Sequence, residues 1–225
     1  MNIFRKKTHF IPKTACITLL LCTLNTINAQ QFGFEMSYSN PVRFGTNISN
    51  TFLHQNKVGI TFNTAITSNF SIFSGLYYSL AYGNKTQMYP NNDYVATTSY
   101  AQFGDLPLYL MFNLPVSNTF KFFAFGGPSL NFGISHKQHI LSTLATQSPM
   151  TNDMYASNAL SRWNMQLGTG GGLQWKKFIL KGGYDFGIFN LDPSKSIIIH
   201  QSGWYATIGY ELENLKKAKQ NKSED

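Results

Sequence analysis

The 225 residues include only 12% charged side chains but 15% aromatic ones, with 19 Phe, 12 Tyr and 18 Gly. That balance excludes a disordered chain and a soluble surface built from Lys and Glu, and two cysteines are too few for a disulfide scaffold. The formal charge of +8, from 18 basic and 10 acidic residues, would suggest a polyanionic partner if it were spread over the whole chain, and it is not.

Four of the basic residues, Arg5, Lys6, Lys7 and Lys13, precede a short apolar run from Ala15 to Leu24, and Ile27-Asn28-Ala29 then stands before Gln30-Gln31. A basic start, an apolar centre and a small-residue end describe a secretory signal peptide over residues 1–29. The apolar run is well below the ~20 residues that a membrane-spanning helix needs, which disfavours an uncleaved anchor. Removing the segment takes the 18 basic residues to 14 against 10 acidic, a net charge of +4. It also removes both cysteines, Cys16 and Cys22; no small residue precedes Cys22 as a lipid-modified cysteine would require. No Arg/Lys–aromatic patch remains, so nucleic acid is not an expected partner.

The rest alternates with a period of two, the mark of strands with two unlike faces. In chain order the apolar faces are Phe32 to Tyr38, Val58 to Ile66, Ile72 to Tyr82, Leu106 to Leu114, Phe120 to Ile134, Trp163 to Trp175, Phe178 to Ile188 and Trp204 to Leu212, taking every second residue. None of these face positions is charged. Short connections (67–69, 115–119 and 176–177) alternate with four long ones rich in Asn, Ser and Thr (39–57, 83–101, 135–161 and 189–203). Short turns on one rim and long loops on the other predict an all-β, eight-stranded antiparallel up-and-down transmembrane β-barrel over residues 30–212, followed by a polar periplasmic tail over 213–225.

A lipocalin-like soluble barrel also alternates, so the second face has to decide. It is small and neutral-polar, as in Gly59, Thr61, Asn63, Ser79, Asn131, Gln166 and Thr207, which suits the crowded lumen of eight strands better than a face in water. Its charges balance: Lys57, Lys121, Arg162 and Lys181 stand against Glu35, Asp105, Asp185 and Glu211. Buried charges need partners, so these eight are the expected lumen network, with a Glu35–Glu211–Lys181 cluster near the periplasmic rim. Trp163 and Trp175 on one outward face would lie roughly 30 Å apart along the membrane normal, matching two interfacial aromatic girdles, and Trp204 is a third interfacial candidate. Pro107 and Pro128 cannot donate to a ladder; counting back from the 115–119 turn sets Pro107 opposite Gly127 and predicts one shared bulge.

Several segments carry a family likeness: Phe73-Ser74-Gly75-Leu76-Tyr77-Tyr78-Ser79, Asp105-Leu106-Pro107-Leu108, Phe123-Ala124-Phe125-Gly126-Gly127-Pro128, Leu167-Gly168-Thr169-Gly170-Gly171-Gly172 and Gly182-Gly183-Tyr184-Asp185-Phe186-Gly187-Ile188. In that order they resemble the PorT-like outer-membrane β-barrel proteins of Bacteroidetes-type bacteria. The resemblance spans about residues 30–212 and implies an eight-strand barrel and, for the best-known members, a part in type IX protein secretion, sometimes linked to gliding. Two departures stand out: Gly126-Gly127 replaces Ala-Gly before Pro128, and a polar tail follows the last strand, where such barrels generally end on an aromatic.

Sites of chemistry are sparse. His136 and His139 lack a third metal ligand, and Leu173 takes the last glycine position of a would-be dinucleotide loop at Gly168. His54, Asp93, Asp153, Asp192 and His200 fall in or near outer loops, without a pattern that makes them converge. The expected protein is therefore a non-enzymatic outer-membrane barrel without cofactor or metal. Its long loops would be extracellular and its termini periplasmic. It would serve as a structural, assembly or accessory component of the envelope, with membrane lipid and other envelope or secretion proteins as partners. The alternatives are an outer-rim enzyme, acting by lipid A acyl transfer or proteolysis, and a small-solute transport barrel.

Overall fold

A computed structural model describes residues 30–46, 48, 50–89, 93–144 and 148–212. The expected signal peptide over 1–29 and tail over 213–225 lie outside the described residues. Ten strands form: β1 (Gln30–Gly45), β2 (Thr51–Phe52), β3 (His54–Ala65), β4 (Phe70–Met88), β5 (Tyr94–Ser117), β6 (Phe120–Ser142), β7 (Met150–Asp153), β8 (Trp163–Trp175), β9 (Phe178–Gly187) and β10 (Ile199–Glu211). Eight of them pair antiparallel in the cyclic order β1-β3-β4-β5-β6-β8-β9-β10. The ring closes where β1 meets β10, from Gly33 opposite Glu211 to Gly45 opposite Ile199. The short β2 pairs with β1 and the short β7 with β6 beyond the ring. The protein is an all-β, eight-stranded antiparallel up-and-down barrel.

Closure leaves no open edge around the ring, so, apart from a short interruption near Pro107, backbone groups are bonded to a neighbouring strand and the walls can face hydrocarbon. The outward face of every ring strand is the apolar face expected from the alternation; its large side chains, among them Phe34, Ile60, Leu76, Leu108, Phe122, Leu167, Leu180 and Ile208, are exposed on the outer wall. Trp163, Trp175 and Trp204 are all on that wall.

The turns on one rim are tight. Thr67 Oγ1 accepts from the amides of Asn69 (3.3 Å) and Phe70 (3.0 Å), closing the β3–β4 turn. Lys176 holds φ of 54° in the two-residue β8–β9 turn, a left-handed conformation in which an L side chain is strained. On the opposite rim the strands run further than the apolar pattern does. β5 has 24 residues and β6 has 23, against the ~9–11 that cross a bilayer. Most of the expected loop 83–101 is therefore ladder, and so are residues 135–142 and 150–153 of the expected loop 135–161, while 154–162 is turn. Alternation reports which face avoids water; where both faces are wet it stops, although backbone pairing continues.

Pro107 and Pro128 meet differently from expectation. The turn after β5 is only Asn118-Thr119, with Ser117 opposite Phe120, so the register is displaced from one counted from a five-residue turn. Pro107 faces Ser129, not Gly127, and the register is the same on both sides of the gap, at Pro107–Ser129 and Leu110–Gly126. There is no bulge between them but a short interruption of the ladder. Gly127 fills it with φ of 155°, and a Cβ there would lie 2.3 Å from the Leu108 carbonyl oxygen. Ser74 Oγ donates to the Pro107 carbonyl at 2.8 Å. A true register shift sits further along, between Gln102 and Phe103, where Phe103 pairs with Gly133 and Gln102 with Ser135. Ile134 is the extra residue, and beyond it the inward parity of β6 changes from odd to even.

Candidate functional site: the lumen and its capped mouth

From the turn rim to the hairpin rim the lumen has three levels. At the turn rim, Gln174 Nε2 donates to Glu211 Oε2. Above it stands an aromatic plug of Phe73, Tyr109, Met111, Phe123, Phe125 and Tyr205, with Ile179 packed against it. The rings of Phe73 and Tyr109 stack at 6.1 Å, and those of Tyr109 and Phe125 at 5.3 Å. The lumen is thus less polar than the neutral-polar reading of the second face suggested. Phe123 and Phe125 are the legible signal, since aromatics occupy both parities of β6 between Phe120 and Phe125.

An ion pair rests on the plug. Lys181 Nζ lies 2.8 Å from Glu35 Oε2 and 3.9 Å from the centre of the Phe73 ring, and Tyr77 Oη donates to Glu35 at 2.5 Å. Glu211 is not in this group, so the expected cluster of three divides into a Glu35–Lys181 pair and a separate Glu211–Gln174 contact. Register supplies the reason. Glu35 pairs with Gly209 and Glu211 with Gly33, two positions apart, and the Glu35 side chain packs over Gly209, where a Cβ would be 2.8 Å from its Cγ.

Higher up, Asp105 accepts from Ser79 Oγ and Asn131 Nδ2 and lies 4.0 Å from Lys57 Nζ. Asp185 is buried beside Tyr109, both over Gly168, where a Cβ would be 2.5 Å from Tyr109 Oη and 2.8 Å from Asp185 Oδ1. Lys121 is half-buried at the turn end of β6. Arg162 corrects the lumen assignment. It is exposed just before β8, its Nη1 donates to the carbonyls of Gly133 and Ile134 at 3.1 Å, and its guanidinium stacks 4.8 Å over the Tyr155 ring. The strand begins at Trp163, so parity no longer governs where residue 162 points.

The mouth at the hairpin rim is capped. Leu160, Leu191 and Ile199 form a small buried cluster with Ile48, Met154, Tyr155 and Ile197 around it. The segment 190–199 is organised by Asp192, whose carboxylate accepts from the Ile197 and Ser194 amides at 2.9 Å each; these bonds hold its pKa below the usual carboxylate value. Asp153 likewise accepts from the Ala156 and Tyr155 amides and is lowered for the same reason. Burial raises the Tyr155 phenol. Tyr155 dips over Gly133, where a Cβ would lie 2.0 Å from its Oη. Below the cap Arg43 donates to Gln201 Oε1 at 3.1 Å and Gln166 to the Gln201 carbonyl at 3.0 Å. Among the described residues the lumen holds small cavities of about 30, 40 and 30 Å³, each with room for only a few water-sized groups.

The residues weighed for catalysis hold separate partners. His54 Nδ1 is 2.6 Å from Tyr38 Oη, with its ring stacked on Tyr82, and His200 Nδ1 is 3.1 Å from the Phe189 carbonyl. Asp93 accepts from Thr143, and Asp153 and Asp192 shape their own turns. His136 and His139 share β6 but not a face: the first is buried and the second is exposed against Thr151. Among the described residues no three His, Cys, Asp or Glu side chains are placed to hold a metal. Sequence reading missed the plug, the cap, Arg43 and the inward turn of His136.

Solved structures similar to the chain are small outer-membrane proteins. The attachment invasion locus protein Ail of Yersinia pestis is 12% identical, covering 82% of this chain and 99% of its own at a TM-score of 0.39. Neisserial surface protein A is 8% identical over 80% of this chain and 97% of its own, at 0.39. The outer membrane enzyme PagL is 10% identical over 77% and 98%, at 0.36. No curated protein matches the chain in sequence. A family model described as "Outer membrane protein beta-barrel domain" matches residues 27–192, most of the closed ring described above, and the chain belongs to that family of bacterial outer-membrane barrels.

Proposed function

We propose that the protein is a non-enzymatic barrel of the bacterial outer membrane that acts through its surfaces, as an assembly or accessory component of the envelope. The short turns and both termini face the periplasm in this reading, and the long hairpins and the cap face outward. The observation that carries it is the filled lumen: the aromatic plug and the Glu35–Lys181 pair above it leave cavities of only about 30–40 Å³, too small for passing a solute. A barrel that neither conducts nor gathers a catalytic constellation has its walls and rims to work with. The PorT-like strand motifs support type IX protein secretion, with the gliding linked to it, as the process served.

The test is deletion of the gene, with surface-exposed secreted enzymes and lipid A composition read in parallel. Loss of surface enzymes with unchanged lipid A is the expected result; altered lipid A acylation with normal secretion would point to an outer-rim enzyme instead. Planar-bilayer recording of the purified barrel checks the lumen separately and should show no stepwise conductance.

A further inference from the structure

The cations inside the barrel are not treated alike. Lys181 has Glu35 at 2.8 Å and Lys57 has Asp105 at 4.0 Å. Arg43 is only 7% exposed, yet among the described residues no carboxylate comes within 4.0 Å of it. Its one acceptor is the neutral amide of Gln201, and its Nε is buried without an acceptor. A guanidinium cannot shed its proton, so burying one without a counter-charge is costly unless something supplies that charge.

The surroundings set the sign and the size of what would. Arg43 lines the uppermost lumen cavity, of about 30 Å³, together with Lys57 and Arg162 on the positive side and Asp105 and Asp185 on the negative. Arg162 reaches this lining from the exposed rim, where it is already bonded to the Gly133 and Ile134 carbonyls, so the enclosed charges are Arg43 and Lys57 against Asp105 and Asp185, and what matters is which of them Arg43 can use. Asp105 is committed lower down to Ser79, Asn131 and Lys57; Asp185 lies beside Tyr109 with its Oδ1 unpartnered, and among the described residues neither carboxylate comes within 4.0 Å of Arg43. His136, wholly buried near the same mouth with neither ring nitrogen partnered, adds no negative charge. Water can accept the Arg43 Nε–H but cannot offset the charge.

We propose that the chamber under the cap binds one small monovalent anion, a halide or a single carboxylate group, with Arg43 as its principal ligand. The cavity accepts a group of that size and excludes larger organic anions. Leu160 and Leu191 in the cap cover it, so the anion would also tie the cap to the barrel wall through charge.

The test uses the full-length barrel refolded in detergent. Its melting temperature is followed in sodium chloride, sodium formate and sodium gluconate at one fixed ionic strength. Chloride or formate should raise it saturably while gluconate does not, and Arg43→Gln should lose that anion dependence. Equal melting in all three salts, or an Arg43→Gln barrel that responds like the wild type, would overturn the site. Should Arg43→Gln fail to refold, chloride-35 NMR on the wild-type barrel decides. Excess line broadening that formate displaces is expected, and broadening absent or indifferent to formate refutes the proposal.

Discussion

Replacing Lys181 by Met tests whether the charges inside the barrel are structural. Met keeps a long unbranched chain over Phe73 while removing the ammonium. At 2.8 Å and an effective dielectric of 20 the attraction to Glu35 is about 6 kcal/mol, before the desolvation of both groups is subtracted. Removing one partner of a buried pair usually costs about 3–5 kcal/mol, because the other is left as an unpaired charge. Here Glu35 would keep, among the described residues, only Tyr77 as a side-chain donor. The cation–π contact with Phe73, worth up to about 2 kcal/mol where desolvated, goes as well. Lys181→Met should therefore lower the unfolding free energy of the detergent-refolded barrel by roughly 3–5 kcal/mol in urea titrations followed by tryptophan fluorescence and by heat-modified mobility on gels. Adding Glu35→Gln should recover much of the loss, since the orphaned charge is removed. A single variant within about 0.5 kcal/mol of wild type, or a double variant worse than either single one, would refute the reasoning.

Gly127→Ala should cost about 1–3 kcal/mol in the same titration, because its Cβ would meet the Leu108 carbonyl at a backbone angle that L residues avoid. Gly133→Ala should displace Tyr155 from the mouth and leave the ring intact, seen as faster proteolysis within 154–162 at unchanged far-UV circular dichroism. Asp192 is held below its ordinary pKa by the amides of segment 190–199, so its stabilisation is present above the unfolded value near 4 and is lost as pH falls through the lower folded value. Proteolysis of that segment should rise in that acid window for the wild type, while Asp192→Asn should cleave faster at neutral pH with little further change. Lys176→Asn, which tolerates the left-handed turn better, should raise stability by a few tenths to about 1 kcal/mol.

The wall was legible because a membrane barrel obeys one rule that a linear pattern can carry. Every second residue meets hydrocarbon, and from Phe32 to Leu212 none of those positions is charged. Trp163, Trp175 and Trp204 follow from that rule alone. The lumen obeys no such rule. Which inward residues meet depends on register across the closure, and two positions of offset separate Glu211 from Glu35. One extra residue, Ile134, turns His136 inward, and a strand that starts at Trp163 releases Arg162 to Tyr155. The Asn118-Thr119 turn and the register shift between Pro115 and Ser117 together set Pro107 opposite Ser129, by the same kind of small displacement.

By itself the sequence determined that this chain is an alternating barrel with an apolar wall, since the period of two and the avoidance of charge are properties of single strands. Only the tertiary structure decided that aromatics plug the lumen, that Glu35 takes Lys181, that two hairpin segments cap the mouth and that Arg43 is left without a carboxylate. Those are facts about pairs of residues far apart in the chain, set by strand register and turn length, where one residue more or less changes which side chains meet.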